Sequence, residues 1–133
     1  MFEYSTRRQI EQCNDTIKKI ATYIGKEYKE CGAYVRYAIE QNEDPDLEKP
    51  DALTEEDQKD LNKVFEWQEN MKSWMKRRDI YKNGKKQAYN LTWGQCTKMM
   101  QTELQGCDDY DDMNKTQDLM LLLKNIEEIF YNF

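Results

Sequence analysis

Seven bases between positions 72 and 86, Lys72, Lys76, Arg77, Arg78, Lys82, Lys85 and Lys86, form the densest chemically capable group in this sequence, interrupted only by Asp79. A run of this kind can neutralise phosphates, as RNA contact requires, and a solvated helix face has the same composition. The four cysteines, Cys13, Cys31, Cys96 and Cys107, include no Cys-x-x-Cys pair, and the chain has no histidine to complete a zinc site. They read as thiols; if Cys13 and Cys31 share one helix, about 27 Å of helical rise separates them, beyond disulfide reach. Asp108, Asp109, Asp111 and Asp112 lack the alternating ligands, central glycine and terminal glutamate of a calcium loop. Glu55-Glu56 and Glu127-Glu128, adjacent on helices, point about 100° apart and do not converge. With no histidine, no glycine-rich phosphate loop and no Gly-x-Ser-x-Gly elbow, the sequence predicts no catalysis, no metal, no cofactor and no small-molecule substrate.

These groups need elements to position them. The 133 residues suffice for one domain with a core, and 35% charged residues beside 38% apolar ones place the chain among acidic globular proteins. A formal charge of −6 disfavours indiscriminate binding to nucleic acid or anionic membrane. Met1 to Arg8 contains no apolar run, and no segment approaches the roughly 20 apolar residues of a membrane span, so the expectation is an intracellular, cytoplasmic protein without membrane contact. Asn14-Asp15-Thr16, Asn90-Leu91-Thr92 and Asn114-Lys115-Thr116 match the N-glycosylation pattern, which has meaning only in a secreted chain.

Apolar residues recur at helical spacing and predict an all-α bundle of about five helices spanning residues 1–133. Ile10, Cys13, Ile17, Ile20, Ile24, Tyr28 and Cys31 mark a first helix from about Thr6 to Glu30, capped by Ser5 or Thr6, with Gly25 at a kink or close contact and Gly32 at its end. Tyr34, Val35, Ala38 and Ile39 mark a second. Residues 42–53 hold both prolines among acids and predict a connector. Thr54-Glu55-Glu56-Asp57 looks like the start of a third helix, whose buried stripe is Leu61, Val64, Phe65, Met71, Trp74, Met75 and Tyr81 and whose end or kink is Asn83-Gly84. Tyr89, Trp93, Cys96, Met100 and Leu104 mark a fourth helix closed by Gly106, in which Gly94 permits close approach or a kink. Residues 107–113 predict an acidic loop. Leu119, Leu122, Leu123, Ile126, Ile129, Phe130 and Phe133 mark the last helix, and its uncapped apolar end suggests a longer or ancestral chain continuing from it. Trp74, Trp93, Met100, Leu122 and Ile126 are the expected centre of the core.

The most unusual order is Tyr89-Asn90-Leu91-Thr92-Trp93-Gly94-Gln95-Cys96-Thr97. With Ile20-Ala21-Thr22-Tyr23-Ile24-Gly25-Lys26-Glu27-Tyr28, Gly32, Arg36-Tyr37-Ala38-Ile39-Glu40, the connector and Leu121-Leu122-Leu123-Lys124-Asn125-Ile126, it resembles the N-terminal, capsid-like part of Gag-like proteins of copia-type LTR retrotransposons, of the kind common in algal genomes. The resemblance spans residues 16 to 131. It implies a helical structural lobe that self-associates into particles around element RNA, with Tyr89, Leu91, Trp93, Gly94, Gln95, Cys96 and Thr97 as an assembly or core motif and the basic run as RNA contact. The family's protease, integrase, reverse transcriptase and zinc knuckle have no counterpart in these residues. Two other readings use the same apolar stripes: a helical protein-binding module or accessory subunit of a larger complex, and a secreted helical glycoprotein with two disulfides.

Overall fold

A computed structural model describes Phe2 and residues 9–131, and among these residues the regular structure is entirely helical. Six α-helices follow one another: α1 Gln9–Glu27, α2 Gly32–Gln41, α3 Leu61–Gly94, α4 Lys98–Gln105, α5 Tyr110–Thr116 and α6 Leu119–Tyr131. The all-α bundle expected from periodicity is present, with one helix more and different breaks.

Helices α1 and α2 form a hairpin, and α6 packs against α1, α3, α4 and α5, which makes it the centre of the bundle. Its Leu119, Leu122, Leu123, Ile126 and Phe130 are buried, as helical spacing requires of a central helix. They meet Cys13, Ile20, Ala21 and Ile24 of α1, Val35 and Ala38 of α2, Met100 and Leu104 of α4, and Met113 of α5 in one core. Phe2, fully buried, joins it, its ring 6.5 Å from that of Phe130. Its main chain is clasped by the α3–α4 corner: Phe2 N–H donates to the Gln95 carbonyl at 2.8 Å and Thr97 N–H to the Phe2 carbonyl at 3.2 Å.

Several expected boundaries move, each for a packing reason. α1 ends at Glu27, so Cys31 lies outside it and Gly32 begins α2 rather than ending α1. A Cβ on Gly32 would stand 2.7 Å from the Ile24 carbonyl oxygen, so the tight α1–α2 turn needs a glycine there. Gly25 marks the close contact, a Cβ on it meeting Arg36 Cδ at 2.7 Å. The candidate caps Ser5 and Thr6, and the terminal Phe133, lie outside the described residues. Thr54 does not start α3: its hydroxyl accepts from Asp57 N–H at 3.1 Å in a short 3-10 turn, Asp57–Lys59, and Asp60 caps α3 by accepting from Asn62 N–H at 3.0 Å.

The two central expectations for the middle of the chain are also corrected. α3 runs unbroken through Asn83-Gly84, because Gly84 is where α2 comes closest: a Cβ there would collide with Cys31 Sγ and lie 3.2 Å from Val35 Cγ2. The break falls at Gly94 instead, and Thr97 caps the new helix α4, its hydroxyl accepting from Met100 N–H at 3.3 Å. Gly94 itself faces open space, and a Cβ added to it would meet nothing within 4 Å. The acidic segment 107–113 is not all loop: α5 starts at Tyr110 and buries Met113, while Asn125 of α6 donates to Asp109 at 2.8 Å. Met100, Leu122 and Ile126 are fully buried, but Trp74 and Trp93 are only half-buried.

Candidate interaction site on the long helix

The functional candidates fall on α3, whose 34 residues reach about 51 Å at 1.5 Å per residue. Its second half is built into the fold through Tyr81, Gly84, Ala88, Tyr89 and Thr92. Its first half is not: no residue from 61 to 80 is buried, and Leu61 is 84%, Phe65 64% and Met75 42% exposed. The expected buried stripe of this helix is therefore corrected to Tyr81 alone.

The opposite side of that half is covered by the connector. Tyr81, 4% exposed, donates its hydroxyl hydrogen bond to Asp44, which also accepts from Lys85 Nζ at 3.1 Å. Arg77 donates from Nε and Nη2 to the Leu47 carbonyl at 3.2 and 3.1 Å. Two cations stand over the Trp74 ring, Lys49 Nζ at 5.1 Å and Arg78 Cζ at 5.0 Å from its centroid, and Trp67 Nε1 donates to the Asp51 carbonyl at 2.7 Å. The hydrogen bond from Tyr81, helped by Lys85, holds the Asp44 carboxyl below its ordinary value, and burial, then Asp44, pushes the Tyr81 phenol up.

The basic run is thus one stretch of a single helix, not a helix junction, and its members have different employments. Arg77, Arg78 and Lys85 serve the connector and Trp74, and Lys72 pairs with Glu69 at 3.4 Å. Lys76, Lys82 and Lys86 are exposed; Lys82 and Lys86 share one side, and Lys76 lies about 80–120° round the helix from them.

Tyr89 to Thr97 forms the α3–α4 corner and not a surface. Tyr89, Thr92 and Cys96 are buried, Leu91, Trp93, Gln95 and Thr97 are half-buried, and only Asn90 and Gly94 are exposed. Trp93 packs against Tyr110 at 6.0 Å, and Gln101 Nε2 donates to the Trp93 carbonyl at 3.2 Å, satisfying the helix end. The seven motif residues are brought together by the fold, with Phe2 as their partner, a residue no periodic pattern could single out.

The four cysteines are free, three of them buried and Cys107 half-buried. Burial pushes the Cys13 and Cys96 thiols up to about 12, which suppresses thiolate chemistry at neutral pH. Among the described residues no three Cys, Asp or Glu side chains converge to hold a metal ion, and no helix is long and apolar enough to cross a membrane. All three glycosylation asparagines, Asn14, Asn90 and Asn114, lie in helices, the last in the unexpected α5. No family model, no curated protein and no solved structure matches the chain.

Proposed function

We propose that this chain is a non-enzymatic helical interaction domain that associates with further copies of itself through the free face of α3, the role expected of a Gag-like structural lobe. The observation that carries this reading is the stripe Leu61, Phe65 and Met75. These side chains lie within about 80° of one another on the helix and remain exposed, while Trp67, Trp74 and Arg77 on the far side are engaged by the connector. Two such helices laid side by side would cover the stripe, with Gln68 and Lys72 between the apolar contacts. RNA contact through Lys76, Lys82 and Lys86 belongs to the same reading as a weaker, salt-sensitive interaction.

The test is the mass of the purified chain in solution across concentration and salt, with and without single-stranded RNA, beside the double variant Leu61→Asp/Phe65→Asp. We expect concentration-dependent oligomers in the wild type and a dissociation constant raised at least about tenfold in the variant, since each buried Leu or Phe side chain contributes roughly 1.5–3 kcal/mol. The far-UV circular dichroism of the variant should be unchanged. A wild type that stays monomeric at every concentration contradicts self-association and leaves the accessory-subunit reading, in which the same stripe meets a different helical protein.

A further inference from the structure

The connector does more than join two helices. From Asp44 to Asp51 it runs antiparallel to α3, meeting Tyr81 first and Trp67 last. Those contacts span fourteen residues of α3, about 21 Å, and only seven steps of connector, about 3 Å each, close to the rise of a polyproline II helix. Leu47, Pro50 and Leu53, spaced by three, are its half-buried residues together with Pro45, and three residues make one polyproline II turn. Glu48, at φ 61°, interrupts the run locally in the left-handed region, its N–H turned to Asp46 Oδ1 at 2.8 Å.

The two surfaces are complementary in charge as well as shape. Residues 43–51 carry five acids and one lysine, against Arg77, Arg78 and Lys85 on the strap side of α3. The chemistry of contact is that of peptide recognition: a guanidinium gripping a main-chain carbonyl, an indole N–H on another, and an aromatic ring under a lysine ammonium. Apart from the buried Tyr81, the anchors come from half-buried side chains rather than from a main-chain ladder, and ordering the strap opposes them, so closure is a balance rather than a lock.

We infer that the Trp67, Trp74, Arg77 and Tyr81 side of α3 is a groove for an extended, acidic, proline-containing peptide, and that residues 44–51 are its resident occupant, displaced by a partner segment of the same chemistry. Phe65 and Trp74, nine residues apart, point about 180° from each other, so this groove is separate from the self-association stripe and does not depend on that reading. Tethering gives the resident strap an effective concentration that a free peptide must overcome, which makes the closed chain a weak binder and an opened one a strong binder.

The experiment uses the whole chain and a fluorescein-labelled synthetic peptide of residues 43–53. Asp44→Ala/Lys49→Ala removes strap anchors and leaves the groove intact. This variant should bind the peptide about tenfold tighter than wild type, the factor expected when a closed form populated to about 90% is fully opened. Adding Arg77→Ala should remove the binding, and the peptide with its acids replaced by amides should bind at least about tenfold more weakly. Circular dichroism confirms that each variant is folded. A second readout needs no variant: excess peptide, made with glutamine in place of its two glutamates so that the protease cannot consume it, should accelerate cleavage of the wild-type chain after Glu48 by a glutamate-specific protease, because displacement frees the strap. Equal affinity in opened and closed chains, equal binding of the uncharged peptide, or a cleavage rate indifferent to peptide would each overturn the inference.

Discussion

The two halves of α3 hold nearly the same apolar content, seven residues between 61 and 77 against six between 78 and 94, yet only the second half is built into the core. The difference lies in what separates the apolar residues. In the second half Tyr81, Gly84, Ala88 and Thr92 follow at steps of three and four, and the small members let α2 approach until Cys31 and Val35 touch the helix backbone region. In the first half the large residues are spread around the circumference, Phe65 on one side and Trp74 on the other, with no glycine or alanine to admit a neighbouring helix and with Ser73 hydrogen-bonded to Arg77. One side is therefore covered by an extended strap and the other is left bare. Apolar count alone distinguishes neither case.

The sharpest way to break this comparison is to remove the close approach. Gly84→Ala should destabilise the fold by about 1–3 kcal/mol, the usual cost of overpacking, because its methyl would collide with Cys31 Sγ. Urea unfolding followed by circular dichroism measures it, and an unchanged midpoint would mean that α2 does not seat on Gly84. Gly94→Ala makes the opposite case on the same helix: the position is open and its φ is not in the left-handed region, so stability should rise by about 0.5 kcal/mol.

The smallest effect concerns the strap and acid. Asp44 has a lowered folded pKa, so its contribution is fully present above the ordinary carboxylate value of 3.8 and is lost as pH falls below that through the lowered value. Tryptophan fluorescence, through Trp67 and Trp74, should accordingly stay constant from neutral pH down to that value and change below it. Asp44→Asn should flatten the change. A transition centred well above 3.8 would assign it to another group.

Periodicity made α1, α2 and α6 legible, because each has one wet and one buried side and Leu122, Ile126 and Phe130 recur as a central helix demands. It failed where a local signal was outweighed by packing. Asn83-Gly84 has the composition of a helix end, but the space Gly84 leaves for Cys31 keeps α3 continuous. Thr97 three residues after Gly94 was the legible sign of the true break, a helix stop followed by a capping hydroxyl. Met113 was hidden by its acidic neighbours, and Phe2 by having no periodic companion. The connector was readable as irregular and acidic, but its seat was not, since Leu47 meets Arg77 and Asp44 meets Tyr81 across stretches that no local pattern links.

Amide hydrogen exchange along α3, followed by mass spectrometry at low and high protein concentration, separates a half held from within the chain from a half awaiting another copy. Residues 80–94 should be protected to the same degree at both concentrations, because their partners are within the chain. Protection of residues 61–75 should rise with concentration, as the proposed pairing of two α3 helices requires. Protection that is independent of concentration throughout α3, or that rises only in residues 80–94, would contradict self-association through the bare face.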